Sequence, residues 1–232
     1  MSGSPAGRRE LLLADLEDLE GGLPRVCDNG EALVSLRSEP ALLLDESRSE
    51  IASRSERFCY LRKGVLERLS AASQRLPAGF AFLVKEGYRP PERQRLSYDD
   101  VYRSYASLHP ALSPAELRRL VSQYVAPIEV AGHPTGGAVD LSLARDGREL
   151  FLGTRFNDEP EETDGRTWFS ASGIGAEARE YRDLLASCLE PAGFVNYPPE
   201  WWHWSFGDRY WAALLGREAI YGPVEEDSGR FL

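Results

Sequence analysis

The chain has 232 residues and a formal net charge of −10, from 37 acidic against 27 basic residues. That length accommodates one large domain with a substantial core, and the ordinary balance of apolar and charged residues argues against wholesale disorder. Nucleic acid is not an expected partner, because phosphate binding needs a basic patch and none is present. Neither is a membrane, since no apolar run approaches the roughly 20 residues that span a bilayer.

Residues 1–24 read as an appendage. Arg8 to Glu20 fits a short acidic amphipathic helix with Leu12, Leu16 and Leu19 on one stripe, broken by Gly21-Gly22-Leu23-Pro24. The Leu11-Leu12-Leu13 run falls short of the about 7–15 apolar residues of a secretory segment. Residues 25–232 read as one domain. Glu31 to Leu36 has the pattern of a strand, and Leu42 to Arg57 is a stretch rich in Ser, Arg and Glu. From Arg57 a helical period predicts about four turns, with Phe58, Leu61, Val65, Leu66, Leu69 and Ala72 on one face. Pro77-Ala78-Gly79 ends that helix, and Phe80 to Val84 is a short buried strand. It runs into Glu86-Gly87-Tyr88-Arg89-Pro90-Pro91, where the proline at 90 biases Arg89 away from helical dihedrals and sets its guanidinium in a turn at the strand's end. Glu92 to Ser107 is a second helix. Ser113-Pro114-Ala115-Glu116 is a capping box with proline at the first helical position, opening a third helix through about Val125.

Ala138 to Ala144 then reads as a strand, Asp146-Gly147 as a turn, and Glu149 to Leu152 as a segment that pairs back in a hairpin. Residues 157–166 form an acidic loop. Ala176 to Leu189 is a helix with Tyr181, Leu184, Leu185 and Cys188 inward. Phe194 to Tyr197 and Trp201 to Phe206 are strands joined by Pro198-Pro199, and Tyr210 to Leu215 is a last short helix. The mixture predicts an α+β fold, an antiparallel sheet flanked by helices. The three cysteines, Cys27, Cys59 and Cys188, are odd in number and lack paired spacing. They fit reduced thiols in a cytoplasmic protein, with Cys59 and Cys188 as core filler.

Chemistry concentrates in two segments. Gly132-His133-Pro134-Thr135-Gly136-Gly137-Ala138-Val139-Asp140 sets an imidazole and a carboxylate around a glycine-rich loop. Glu200-Trp201-Trp202-His203-Trp204 holds another histidine, in a chain that has three. A catalytic zinc site commonly takes three N or O ligands and leaves a position for water, which His133, Asp140 and His203 would satisfy. Strand parity puts Asp140 and Ser142 on one face and Val139, Leu141 and Leu143 on the other, while Gly136-Gly137 permits the loop to fold His133 back over Asp140. Glu200 and His203 face opposite ways in a regular strand, so Glu200 serves the same metal only from a bent entrance. The same segment also reads as a plain tryptophan-rich core strand with a hydrogen-bonded histidine.

Together, Glu86-Gly87-Tyr88-Arg89-Pro90, His133-x-x-Gly136-x-Ala138-x-Asp140 and Glu200-Trp201-Trp202-His203 resemble, in order and approximate spacing, the VanX-type D-alanyl-D-alanine dipeptidases. These are zinc peptidases related to D,D-carboxypeptidases and the hedgehog fold. Gly153-Thr154-Arg155-Phe156 and Ala219-Ile220-Tyr221-Gly222-Pro223 look like the same family, and the resemblance covers about residues 57 to 222. It implies a D,D-peptidase or hedgehog-like fold, one zinc ion per chain on His133, Asp140 and His203, and Glu200 as the general base acting on the metal's water. It further implies Arg89 as the stabiliser of the oxyanion and a small peptide as the partner.

Two departures bear on the substrate. The family has a Ser-x-His pattern where this chain has Ala131-Gly132-His133, so recognition around Gly132 must differ. The family has Arg-Phe-Asp where this chain has Arg155-Phe156-Asn157, so the substrate ammonium loses a charged partner at Asn157; Asp158, Glu159, Glu161 and Glu162 stand nearby as replacements. Trp201 and Trp202 are expected to keep the site dry, with Trp201 against the substrate. The leading expectation is hydrolysis of D-Ala-D-Ala. Alternatives are a zinc amide hydrolase of a modified or N-blocked peptide and a hydrolytically silent zinc-binding protein. Oligomeric state is left open.

Overall fold

A computed structural model describes residues 11–16, 22–48 and 51–232. In chain order its regular elements are β1 (Leu33–Ser35), β2 (Leu43–Leu44), β3 (Tyr60–Arg62), α1 (Lys63–Ser73), β4 (Phe80–Glu86), α2 (Pro91–Leu108) and α3 (Pro114–Val121). They continue with β5 (Ala138–Arg145), β6 (Arg148–Glu149), α4 (Ala176–Leu189), β7 (Val195–Asn196), β8 (His203–Ser205) and α5 (Arg209–Leu215). The main sheet runs β2-β4-β5-β8-β7, with β6 pairing beside β8 along β5; β1 and β3 form a separate pair. The α+β class expected from the pattern is the one observed.

β5 is the axis of the sheet and is buried along almost its whole length. Its odd-numbered residues, Val139, Leu141 and Leu143, enter the main core with Phe82 and Val84 of β4, Trp204 of β8, Val65 and Leu69 of α1, and Leu185 and Leu189 of α4. Its even-numbered residues face the other side, where α2 and the segment after α3 wall a pocket. Two helices on one face and a recess on the other follow from the period-two alternation of one strand.

Several elements appear where the sequence places them. α4 spans the expected residues, and Ser113 caps α3 reciprocally: its hydroxyl accepts from the Glu116 N–H at 3.3 Å, while Glu116 accepts from the Ser113 N–H at 2.8 Å. Other elements differ. The helix expected from Arg57 starts only at Lys63, because Phe58 lies in a 3₁₀ turn, Glu56–Cys59, and Leu61 in β3 pairs with Val34. An apolar spacing that suits a helix also suits these two shorter pieces, and pairing with β1 decides between them. The sheet is not wholly antiparallel, since β2 joins β4 in parallel through Leu43 and Leu44. The strand expected over Trp201 to Phe206 is confined to β8, with a turn before it closed by the His203 N–H on the Glu200 carbonyl.

At the N-terminus Leu13–Asp15 forms a 3₁₀ turn. Leu11, Leu13 and Leu16 pack with Val130, Tyr197 and Tyr210, and Asp15 pairs with Arg119 at 2.6 Å. Leu19 of the expected stripe lies outside the described residues. Among the described residues, no helix is long and apolar enough to cross a membrane.

One buried cation holds the segments around the site. The Arg62 guanidinium donates to the carbonyls of Thr135 at 2.7 Å, Glu31 at 2.6 Å and Gly222 at 2.9 Å, and to Asp28 at 2.8 Å. Its own N–H donates to the Gly136 carbonyl. Burial pulls the Arg62 pKa down, and Asp28 works against that. Gly136 has φ +70°, and a side chain there would meet Leu33, so glycine is required. The loop that carries His133 is thereby fixed from both ends. Arg62→Ala should destabilise the fold by about 3–5 kcal/mol, because it leaves the Thr135, Glu31 and Gly222 carbonyls without this donor, while Asp28 keeps Arg230 and two backbone N–H groups. Arg62→Lys should not restore it, since an ammonium cannot reproduce the planar fork; denaturant unfolding of the two variants measures both effects.

Candidate metal centre and active site

Register builds the site. Asp140 on β5 lies directly opposite His203 on β8 and Glu86 on β4, so three polar side chains from three strands share the recessed face. His133 reaches the same point from the 3₁₀ turn His133–Thr135, which the left-handed Gly136 caps. His133, Asp140 and His203 offer ligand atoms within 4.8 Å of one another, all three buried.

The lone pairs point the right way for a metal. His133 Nδ1 lies 2.6 Å from the Gly87 carbonyl. A carbonyl only accepts, so the ring proton is on Nδ1 and Nε2 carries a free pair. That Nε2 is buried, has no hydrogen-bond partner and stands 3.3 Å from Asp140 Oδ2. On the other side His203 Nδ1 is 3.0 Å from Asp140 Oδ1 and 3.7 Å from Glu200 Oε2. An orphaned buried nitrogen aimed at a carboxylate between two imidazoles is a donor set that fits a divalent metal.

The electrostatics are those of charges held in a recess. Burial opposes ionisation of Asp140, yet the facing His133 and His203 outweigh it and hold the carboxyl well below the usual range. Burial likewise opposes a charged His133, and the Asp140 carboxylate more than compensates, raising its pKa. Glu200 meets only His203, at 3.7 Å, and that is not enough to offset its burial. Burial pushes its carboxyl up to about 7, the Asp140 charge adds to the rise, and His203 and Arg89 work against it. Glu200 enters from the turn before β8, where its N–H donates to the Tyr197 carbonyl at 3.0 Å. That turn is the bent entrance required for Glu200 and His203 to face one point.

Arg89 is held by two partners. Glu86 accepts from its Nε at 3.0 Å and from Nη2 at 2.8 Å, and Gln94 accepts from Nη1 at 3.0 Å. Gln94 in turn donates to the Ala126 carbonyl at 2.7 Å. Burial tends to strip the guanidinium of its proton, but the Glu86 charge keeps it firmly cationic. Sequence reasoning did not single out Glu86 or Gln94. Glu86 stands in the quoted motif, but only the register shows its carboxylate meeting Arg89.

The surrounding cavity, about 260 Å³, is lined by Arg89, Gln94, His133, Asp140, Glu200, His203 and Trp202 among others. Gly132 and Asn157 line it as well. The reason for glycine at 132 is packing: a side chain there would strike Asp208 Oδ2 at 2.3 Å and Ala138 at 2.7 Å. Asn157 has φ +62°, a left-handed conformation that asparagine tolerates better than most residues. Asp158 and Glu159 line the cavity beside it, whereas Glu161 accepts from Tyr124. Trp201 does not face the cavity, contrary to expectation. It is buried with its indole N–H donating to Thr154 at 2.8 Å, and Trp202 takes the wall position. Both tryptophans precede β8 in a turn, so strand alternation does not govern which one faces inward.

A family model described as D-ala-D-ala dipeptidase, peptidase family M15, matches residues 48–217. Similar proteins include the D-alanyl-D-alanine dipeptidase of Synechocystis sp., 28% identical over 201 residues, 71% of this chain and 79% of that one. Another is the D-alanyl-D-alanine dipeptidase of Enterococcus faecium, 31% identical over 137 residues, 56% of this chain and 64% of that one. The chain thus spans just under two thirds of the enterococcal protein. Solved structures that align with it include the LdcB LD-carboxypeptidase, with TM-score 0.40 and 20% identity over 69% of this chain and 65% of that one. VanYB in complex with D-Ala-D-Ala aligns with TM-score 0.39 and 19% identity over 69% of this chain and 80% of that one.

The buried His133–Asp140 pair sets how stability depends on pH when metal is stripped. The depressed Asp140 contributes stability above its unfolded pKa of about 3.9, lost as pH falls through the folded value. The raised His133 contributes in full below its unfolded pKa of about 6.5, and that contribution is lost as pH rises through its folded value. Chelator-treated protein should therefore lose thermal stability as pH is raised above about 6.5. Metal-loaded protein should not, because metal takes the place of the protons. Melting temperatures from pH 6 to about 9, with and without chelator, test the difference.

Proposed function

The chain belongs to the D-Ala-D-Ala dipeptidase family of M15 metallopeptidases, and from that premise we propose that it is a zinc-dependent dipeptidase cleaving a small D-amino-acid dipeptide, D-Ala-D-Ala as the first choice. The observation that carries the reading is the pairing of a metal-ready His133–Asp140–His203 set, with His133 Nε2 orphaned, and a recessed carboxyl, Glu200, that burial raises to about 7. A structural metal site needs neither that base nor a nearby fixed cation.

His133, Asp140 and His203 are the residues to hold one zinc ion per chain. When bound there, zinc supplies Lewis acidity toward the peptide carbonyl and lowers the pKa of a water to about 7. Glu200 accepts the proton from the attacking water and delivers it to the leaving amine, a task suited to a carboxyl poised near neutral pH. Arg89, kept charged and aimed by Glu86 and Gln94, faces the negative charge that develops on the carbonyl oxygen. Trp202, packed edge-on against Phe156, excludes water from one wall.

The cavity of about 260 Å³ accommodates a dipeptide. Leu13 from the N-terminal segment lines it beside Tyr197 and Tyr210, so residues 11–16 narrow the space on that side. Asp158 and Glu159 are the carboxylates on the cavity wall suited to a substrate ammonium, in place of a charge at 157. A second reading, hydrolysis of an N-blocked peptide, is favoured by the uncharged Asn157 on the same wall. The three free cysteines fit a reducing compartment, and a cytoplasmic location is part of the proposal.

Release of D-alanine from D-Ala-D-Ala by zinc-loaded protein supports the first reading. Cleavage of an N-acetylated dipeptide alone selects the second, and a purified protein that binds no zinc sinks both. Glu200→Gln should retain zinc while kcat falls on the order of 10²–10⁴-fold; turnover near the wild-type value would remove Glu200 as the base. The base must be ionised, so kcat/KM should rise with pH through an acid limb at or below about 7, because a bound cation pulls the Glu200 pKa down from its metal-free value. Arg89→Met should lower kcat about 10²–10³-fold with zinc binding unchanged, read by steady-state kinetics beside metal analysis.

A further inference from the structure

We propose that Leu13 is a specificity-determining residue: with the turn that carries it, it walls the active cavity and sets how large an apolar side chain a dipeptide substrate can carry there. The proposal rests on the dipeptidase reading above and adds to it a limit on substrate size.

This wall comes from outside the family match, which covers residues 48–217. Leu13 opens the 3₁₀ turn Leu13–Asp15 and lines the same cavity as Arg89, Glu200 and His203. Val130, Tyr197 and Tyr210 line it too, and they share one apolar cluster with Leu13. The ring of Tyr197 stands edge-on to His203 with centroids 6.0 Å apart, and Tyr210 stands edge-on to Tyr197 at 5.4 Å. The cluster that holds Leu13 therefore reaches a residue of the metal set through a single ring.

The surface it offers a substrate is apolar. Tyr210 donates its hydroxyl proton to the Leu11 carbonyl at 3.0 Å, and Tyr197 donates to the Ser122 carbonyl at 3.4 Å. Both hydroxyls are engaged with backbone, which leaves rings and a leucine to meet the ligand. Such a wall cannot recognise the charged ends of a dipeptide; those fall to Arg89, Asp158 and Glu159 elsewhere on the lining. What an apolar wall distinguishes is the size of a side chain, since a group too large for the space must displace it.

The turn is held firmly enough to act in this way. Leu11, Leu13 and Leu16 are buried, Leu16 with no exposed surface. Asp15 accepts from the Leu12 N–H at 3.3 Å and pairs with Arg119 of α3 at 2.6 Å. That ion pair is partly exposed and contributes little, so burial of the three leucines is the larger effect. Their cluster is separate from the main core around β5. The turn can thus be altered without taking the sheet apart.

Steady-state kinetics of the intact, zinc-loaded chain test the wall, with D-Ala-D-Ala and with dipeptides carrying D-Val, D-Leu or D-Phe in either position. Wild type should favour D-Ala-D-Ala over the bulkier substrates. Leu13→Ala should raise kcat/KM for a bulky dipeptide, relative to D-Ala-D-Ala, by about 10- to 200-fold, and Leu13→Phe should lower the same ratio. Leu16 does not line the cavity, yet Leu16→Asp puts a charge where no surface is exposed; it should expel the turn and repeat the Leu13→Ala shift. A general loss of fold would lower all substrates together and leave the ratio alone. An unchanged ratio in Leu13→Ala and Leu13→Phe, each folded by circular dichroism, would overturn the proposal. So would a wild type that cleaves small and bulky dipeptides alike, which needs no variant to fold. If wild type cleaves none of them, the dipeptidase reading fails instead, and the wall is read without turnover. Leu16→Asp should then speed the stripping of metal by a chelator several-fold, and an unchanged rate would overturn the wall.

Discussion

A slip of one residue in the pairing of β5 would turn Asp140 and its neighbours on that face into the aromatic core and bring Val139 and Leu141 out to the pocket. That single register places Asp140 opposite both His203 and Glu86. It is specified by the core face, where Val139, Leu141 and Leu143 meet Trp204, Phe82 and Val84 with no exposed surface. Packing on one side of the strand therefore fixes chemistry on the other. The site inherits its precision from a hydrophobic pattern that takes no part in the reaction.

The polar face then solves its electrostatics by pairing. Asp140 is held ionised by two imidazoles, and Arg89 by a fork to Glu86. Each ion has a nearby opposite charge, which is the condition under which buried ions persist. Glu200 stands apart from that pattern, and burial leaves its carboxyl near neutral pH. A group without a dedicated counter-ion, next to a set with free lone pairs, is suited to moving a proton rather than holding a structure. For His133 the direction comes from an acceptor behind the ring, the Gly87 carbonyl.

Parts of this were legible in the chain. The capping box at Ser113 and the apolar period of α4 are local signals, and both elements form where those signals lie. The parity of β5 was local too, and it correctly separated Asp140 from Val139. The stretch from Arg57 was not, since Phe58 and Leu61 fit a helical stripe as well as the turn and strand they adopt; partners some 27 positions away, Leu61 with Val34, settled the matter. Trp201 was placed against the substrate, and it is Trp202 that lines the cavity, for a related reason. Two adjacent tryptophans in a turn have no period to read, and the hydrogen bond from Trp201 to Thr154 decides which one is core.

By itself the sequence determined which donor types were present, their order, and the alternation that keeps Asp140 off the core face, because residue type and short-range period need only the chain. Tertiary structure alone decided that Glu86 and Gln94 steer Arg89, that a turn brings Glu200 toward His203, and that Asp208 requires glycine at 132. It also decided which nitrogen of His133 is free. Those are directional properties of groups far apart in the chain, and the His133 lone pair acquires its direction only because the Gly87 carbonyl occupies the opposite edge of the ring.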